Sequence, residues 1–95
     1  MNRTHTRQPQ FPLGQVVITP NALNTLSETD VRTALHRHVR GDWGDVCSED
    51  AAANKSALRQ GLRLLSVYHA ADSTKFWIIT EADRLSTCVL LPEDY

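Results

Sequence analysis

Three short apolar runs, separated by polar, turn-prone stretches, fill the chain from residue 61 onward. Arg63-Leu64-Leu65-Ser66-Val67-Tyr68-His69-Ala70 precedes the break Ala71-Asp72-Ser73-Thr74, and Lys75-Phe76-Trp77-Ile78-Ile79-Thr80-Glu81-Ala82 precedes the break Asp83-Arg84-Leu85-Ser86. The third run, Thr87-Cys88-Val89-Leu90-Leu91, stops at Pro92, which cannot donate a ladder hydrogen bond. The runs have strand length and turn residues between them, so they predict a three-stranded antiparallel meander. Placing Ala70 opposite Lys75 and Glu81 opposite Thr87 puts Leu65, Val67, Phe76, Ile78, Thr80, Cys88 and Leu90 on one face. The other face then carries Ser66, Tyr68, Lys75, Trp77, Ile79, Glu81, Thr87, Val89 and Leu91. Both faces hold large apolar side chains, so both call for a cover.

Upstream the pattern changes period. Gln15-Val16-Val17-Ile18 is a short β-prone run, and Thr19-Pro20 supplies an N-cap residue with proline at the first helical position, starting a short helix to about Leu26. Ser27 and Asp30 form a near capping box for a second helix, in which Val31, Ala34, Leu35, His38 and Val39 recur at helical spacing and Gly41 is the stop. Ser48 is the expected cap of a third, with Glu49 and Asp50 at its positive end, small Ala51, Ala52, Ala53 and Ala57 for close packing, and Gly61 beyond its last turn. The expected fold class is α+β: a single small domain with a short N-terminal strand, two to three helices and then the C-terminal meander, in the order β-α-α-α-β-β-β. Residues 1–12 are polar with two prolines and read as a flexible tail, leaving 13–95 as the domain.

Composition narrows the function classes. With 95 residues and 41% hydrophobic content, the chain has room for one modest core. Ten Lys and Arg against eleven Asp and Glu give a net charge of -1, so no global basic field recruits a polyanion. The N-terminal stretch lacks the apolar run of a signal peptide and no segment is long enough to span a membrane, so the expected location is the cytoplasm. Cys47 and Cys88 fit a reducing compartment and show no metal-ligand spacing. A zinc site from His36, His38, Cys47 and Cys88 would need two histidines two residues apart on one helix, which point to different faces. No cofactor and no metal is expected.

Three short helices cannot cover both faces of the sheet, and the face with Tyr68, Trp77, Ile79, Val89 and Leu91 is expected to stay partly open as a partner or homodimer surface. Tyr68 and Trp77 would anchor it, with Lys75, Glu81 and Arg84 as a polar rim. A metal-independent ribonuclease of the barnase, colicin or RelE type is the competing reading. It would take a base or acid from His38 and charge or phosphate contacts from Arg63, Ser66, Lys75 and Thr87. His38 also lies in the apolar stripe of its helix, where a hydrogen-bonded core histidine is the simpler account. A third reading, a small DNA-binding regulator, would use Arg32, Arg37 and Arg40 of the same helix. Trp43, bracketed by Gly41 and Gly44, reads as a plug that anchors its loop.

The blocks LGQVVITPNAL, HVRGDWGD and GLRLLSVYHAADSTKFWIITEADRLSTCVLLPEDY together resemble a family of small bacterial proteins frequent on plasmids, prophages and integrative elements. Some of its members carry the label of type I restriction enzyme subunit M. This chain has neither the Gly-rich cofactor motif nor the Asn-Pro-Pro-Tyr type motif of a methyltransferase. Where relatives commonly have Asp-Gly in the first hairpin turn, this chain has Asp72-Ser73. The resemblance implies a genetic setting in which proteins of this size often block or adapt host defence machinery such as restriction or CRISPR systems, and it implies no particular activity.

Overall fold

The computed structural model describes residues 8–95, so the outer part of the expected tail lies outside the described residues. It is an α+β domain in two layers. The element order is β1 (Gln15–Ile18), α1 (Pro20–Thr25), α2 (Glu28–Val39), α3 (Ser48–Gln60), β2 (Leu64–His69), β3 (Lys75–Thr80) and β4 (Ser86–Leu90), closed by a 3-10 turn over Pro92–Asp94. The sheet runs β1-β4-β3-β2, with β1 parallel to β4 and the other pairs antiparallel. The N-terminal run therefore joins the far edge of the meander rather than its start.

The helix starts follow the capping chemistry. The Thr19 hydroxyl accepts from the Ala22 N–H at 3.2 Å and Ser27 from the Asp30 N–H at 3.1 Å. For α3 the cap position falls on Cys47, with Ser48 as the first helical residue and no side-chain cap bond. Gly61 closes that helix in the left-handed conformation, where a Cβ is costly.

Both hairpins depart by one residue from the expected register. His69 pairs with Lys75 and Thr80 with Thr87, so β3 keeps its faces while β2 and β4 exchange theirs. The cause lies in the turns: Ser73 and Arg84 both adopt positive φ, 76° and 62°, a conformation that neither residue type advertises. Leu64, Ser66, Tyr68, Phe76, Ile78, Thr80, Thr87, Val89 and Leu91 thus form the interior face, each less than a tenth exposed. Ala22, Leu26, Val31, Ala34 and Leu35 of α1 and α2 pack on its centre. Phe11, Trp43, Ala57 and Leu64 form a second cluster beside α3. Each large side chain fully buried here contributes roughly 1.5–3 kcal/mol relative to exposure.

Packing starts earlier in the chain than Leu13. Phe11 is buried, stacked on Trp43 at 6.3 Å, and the Gln10 N–H donates to the Val39 carbonyl at 2.7 Å. Trp43 plugs its loop as expected, and the loop is zipped to the outer edge of β2. The Val67 N–H donates to the Trp43 carbonyl, and the Asp45 N–H donates to the Val67 carbonyl. Gly44 makes this approach possible, since a Cβ there would fall 2.0 Å from the Val67 carbonyl oxygen.

Candidate functional site

The two edges of the sheet are finished differently. On β2, the buried Asn54 amide donates to the Leu65 carbonyl at 2.7 Å and accepts from the Leu65 N–H at 3.2 Å, and the Trp43–Asp45 loop occupies Val67. That edge is sealed. On β1, Gln15 and Thr19 donate inward to Leu85 and Val89, so strand alternation turns the N–H and C=O groups of Val16 and Ile18 outward. Val16 is 44% and Val17 43% exposed, and Leu23 and Leu85 beside them are more exposed still. A groove of about 380 Å³ runs along this edge between β1, the end of α1 and the start of α2.

The sheet face away from the helices carries Val17, Leu65, Val67, Lys75, Trp77, Ile79, Glu81, Cys88 and Leu90. Trp77 is half-buried and sits at its centre, with Tyr95 edge-on at 5.6 Å. Arg63 reaches across to Glu81 at 3.4 Å and donates to the Tyr95 hydroxyl at 3.0 Å, so the rim on this side is ionic. The Trp77 Nε1–H is buried and has no acceptor. Leaving such a donor unpaired costs about 1–3 kcal/mol, and the cost falls on the residue best placed to anchor a contact.

Of the expected partner-binding residues, Lys75, Trp77, Ile79 and Glu81 are on this face. Tyr68, Val89 and Leu91 are not: the one-residue shift turns them under the helices, and the Tyr68 hydroxyl donates to the Asp42 carbonyl at 2.6 Å while burial pushes its phenol up. Arg84 is not a rim residue either. Its guanidinium donates to the carbonyls of Ala57, Leu62, Glu81 and Ala82, tying the β3–β4 turn to the end of α3. The half-buried Leu65, Val67 and Cys88 replace the four lost residues, together with Val17, Arg63 and Tyr95, while Ile79 and Leu90 share the face but are themselves buried.

The residues expected for ribonuclease chemistry are split between two places. His38, Ser66 and Thr87 meet in the interior, whereas Arg63 and Lys75 are on the opposite face. His38 is fully buried, with Nδ1 2.6 Å from the Ser66 hydroxyl and Nε2 2.9 Å from that of Thr80. The proton positions follow from the far end of the chain of bonds. Thr87 spends its hydrogen on the Leu13 carbonyl at 2.7 Å, so Thr80 must donate to Thr87 and His38 Nε2–H to Thr80; burial keeps the imidazole neutral, so its bare Nδ1 accepts from Ser66. His38 is therefore a neutral Nε2–H tautomer with both nitrogens occupied. Burial, with a smaller contribution from the Arg84 charge, lowers its pKa to about 4. A base needs a free lone pair near substrate, and this imidazole offers none.

The basic ridge of α2 is largely neutralised: Arg32 pairs with Glu28, Arg37 with Asp42, and Arg40 contacts His36. Among the described residues no group of three His, Cys, Asp or Glu is placed to hold a metal ion, and no helix is long and apolar enough to cross a membrane. Compared with protein-family models, curated proteins and solved structures, the chain matches none. Its own geometry is what speaks for function.

Proposed function

We propose that this chain is a protein-interaction module that engages its partner through the helix-free sheet face, with Trp77 as anchor and Lys75, Glu81 and Arg63 as rim. The observation that carries this reading is the unpaired, buried Trp77 N–H on an apolar face that α1, α2 and α3 leave free and that the C-terminal turn and Tyr95 cover in part. Displacing Tyr95, which is 73% exposed, would open the indole edge to an acceptor on the partner. The resemblance to mobile-element proteins supplies a setting, in which the partner is a component of host restriction or CRISPR machinery and the protein acts in the cytoplasm as antagonist or accessory. The two free thiols suit that compartment. A homodimer through the same face is the second reading, favoured by the continuity of this face with the open β1 edge.

Two measurements separate these readings. Sedimentation across a wide concentration range reads self-association, and a dimer abolished by Trp77→Ala assigns the face to a second copy. Phage plating efficiency in a host with active defence reads antagonism. The foreign-partner reading expects a monomer that relieves defence and a folded Trp77→Ala variant that does not. A monomer without relief, or relief unchanged by the substitution, defeats it.

A further inference from the structure

A cleft of about 510 Å³ lies in the helical layer, remote from the proposed partner face, between α3, the Gly41–Trp43 loop and Gln10. Its size is that of a small-molecule site. The apolar wall is Ala51 and Leu58 with the small part of Trp43 left open, the indole being 9% exposed, and Lys55 and Arg59 complete the lining. Those two cations are one helical turn apart on α3, and both are exposed.

The pair has no carboxylate partner, a condition that it shares with Lys75 and Arg84 among the described residues. Arg32, Arg37 and Arg63 each have a carboxylate within 4 Å, whereas Lys55 and Arg59 make no ion pair among the described residues. The helix offers them no compensation. The residues three and four positions from Lys55 are Ala51, Ala52, Leu58 and Arg59, and those flanking Arg59 at the same spacing are Lys55, Ser56, Leu62 and Arg63. Like charges at this spacing repel by roughly 0.2–0.5 kcal/mol, and an anion held between them would relieve the repulsion while gaining two charge-assisted hydrogen bonds.

We propose that this cleft binds a small molecule with an anionic head group, phosphate or carboxylate, on a flat ring. Lys55 and Arg59 take the head group, and the ring lies against Ala51 and Leu58, close to the open margin of Trp43. Arg59 supplies the fork that matches either oxyanion, and the small side chains of Ala51 and Ala52 leave the room that a ring needs. The site is independent of the sheet face, so it stands whether or not that face binds a protein.

Trp43 reports on the cleft in a Trp77→Phe background, where it is the remaining tryptophan. The protein is titrated with phenyl phosphate, benzoate, inorganic phosphate and benzyl alcohol, following indole fluorescence. The expected result is a saturable change with phenyl phosphate or benzoate, the stronger of the two naming the head group. The apparent affinity should fall at least tenfold in a Lys55→Ala/Arg59→Ala variant, whose exposed helical alanines preserve the fold. Inorganic phosphate and benzyl alcohol should each bind more weakly than the ligand joining their two features. No saturable change, equal binding of benzyl alcohol, equal binding of inorganic phosphate or an unaltered affinity in the double variant overturns the proposal.

Discussion

Acidification should remove a defined share of this protein's stability through His38. The folded chain holds that imidazole neutral down to about pH 4, against an ordinary value of 6.5. Between those values the unfolded chain binds a proton that the folded chain refuses, so stability increases with pH across the window. The contribution is complete above about 6.5, declines as the pH falls toward about 4, and changes no further below that. A gap of this size is worth roughly 3 kcal/mol, a large part of the ~5–15 kcal/mol that holds a small domain together. Burial is the largest cause of the resistance, and the hydrogen-bond chain leaves no free position for the incoming proton. A proton on Nδ1 would turn Ser66 from donor to acceptor and leave the Ser66 hydrogen to find another partner. The carboxyls of Asp72 and Asp94, held low by hydrogen bonds from Thr74 and Thr19, give up their own contributions only at lower pH. Urea unfolding at stepped pH, beside His38→Gln, isolates the effect: the wild type should lose about 2–3 kcal/mol between neutral pH and about 4.5 and the variant far less. Nitrogen NMR of the imidazole gives a direct check. Titration near the ordinary value, or an Nδ1–H tautomer, would refute the assignment of the buried chain.

Asn54→Ala should cost about 1–3 kcal/mol by stranding the Leu65 N–H and carbonyl, and should make the protein aggregate with concentration; thermal melting with light scattering reads both, and an unchanged melt would show that the edge needs no seal. Ser73→Gly should stabilise by about 1 kcal/mol, because glycine enters the positive-φ position without steric cost. Arg84→Gly at a similar φ should have the opposite sign, since the guanidinium's carbonyl contacts disappear; equal signs in denaturant unfolding would mean that backbone conformation alone governs both turns.

The helices and their order were legible because capping residues and apolar spacing are local properties. Thr19-Pro20, Ser27 and Gly61 each state where a helix begins or ends without reference to the rest of the fold. Register was not local. It depended on two residues, Ser73 and Arg84, entering a conformation that only glycine signals clearly, and a shift of one residue reversed the faces of two strands. A clue was nevertheless present in the chain. His38 lay in an apolar stripe and needed buried polar partners, and the observed register gathers Ser66, Thr80 and Thr87 on one face to meet it. Demanding that satisfaction would have chosen the observed pairing and moved Tyr68, Val89 and Leu91 to the interior. The roles of Asn54, Phe11 and Arg84 had no such signal, because each acts on backbone or rings distant in sequence.

The difference between the two sheet margins has a consequence for polymerisation. A strand that docks antiparallel on Val16 and Ile18 from a second copy would use the same margin of both molecules. The resulting eight-stranded sheet would be bounded at each end by β2, already occupied by Asn54 and the Trp43–Asp45 loop. Growth would stop at two. The exposed valines of β1 can therefore be carried without the risk of fibres that a molecule with two open margins would run.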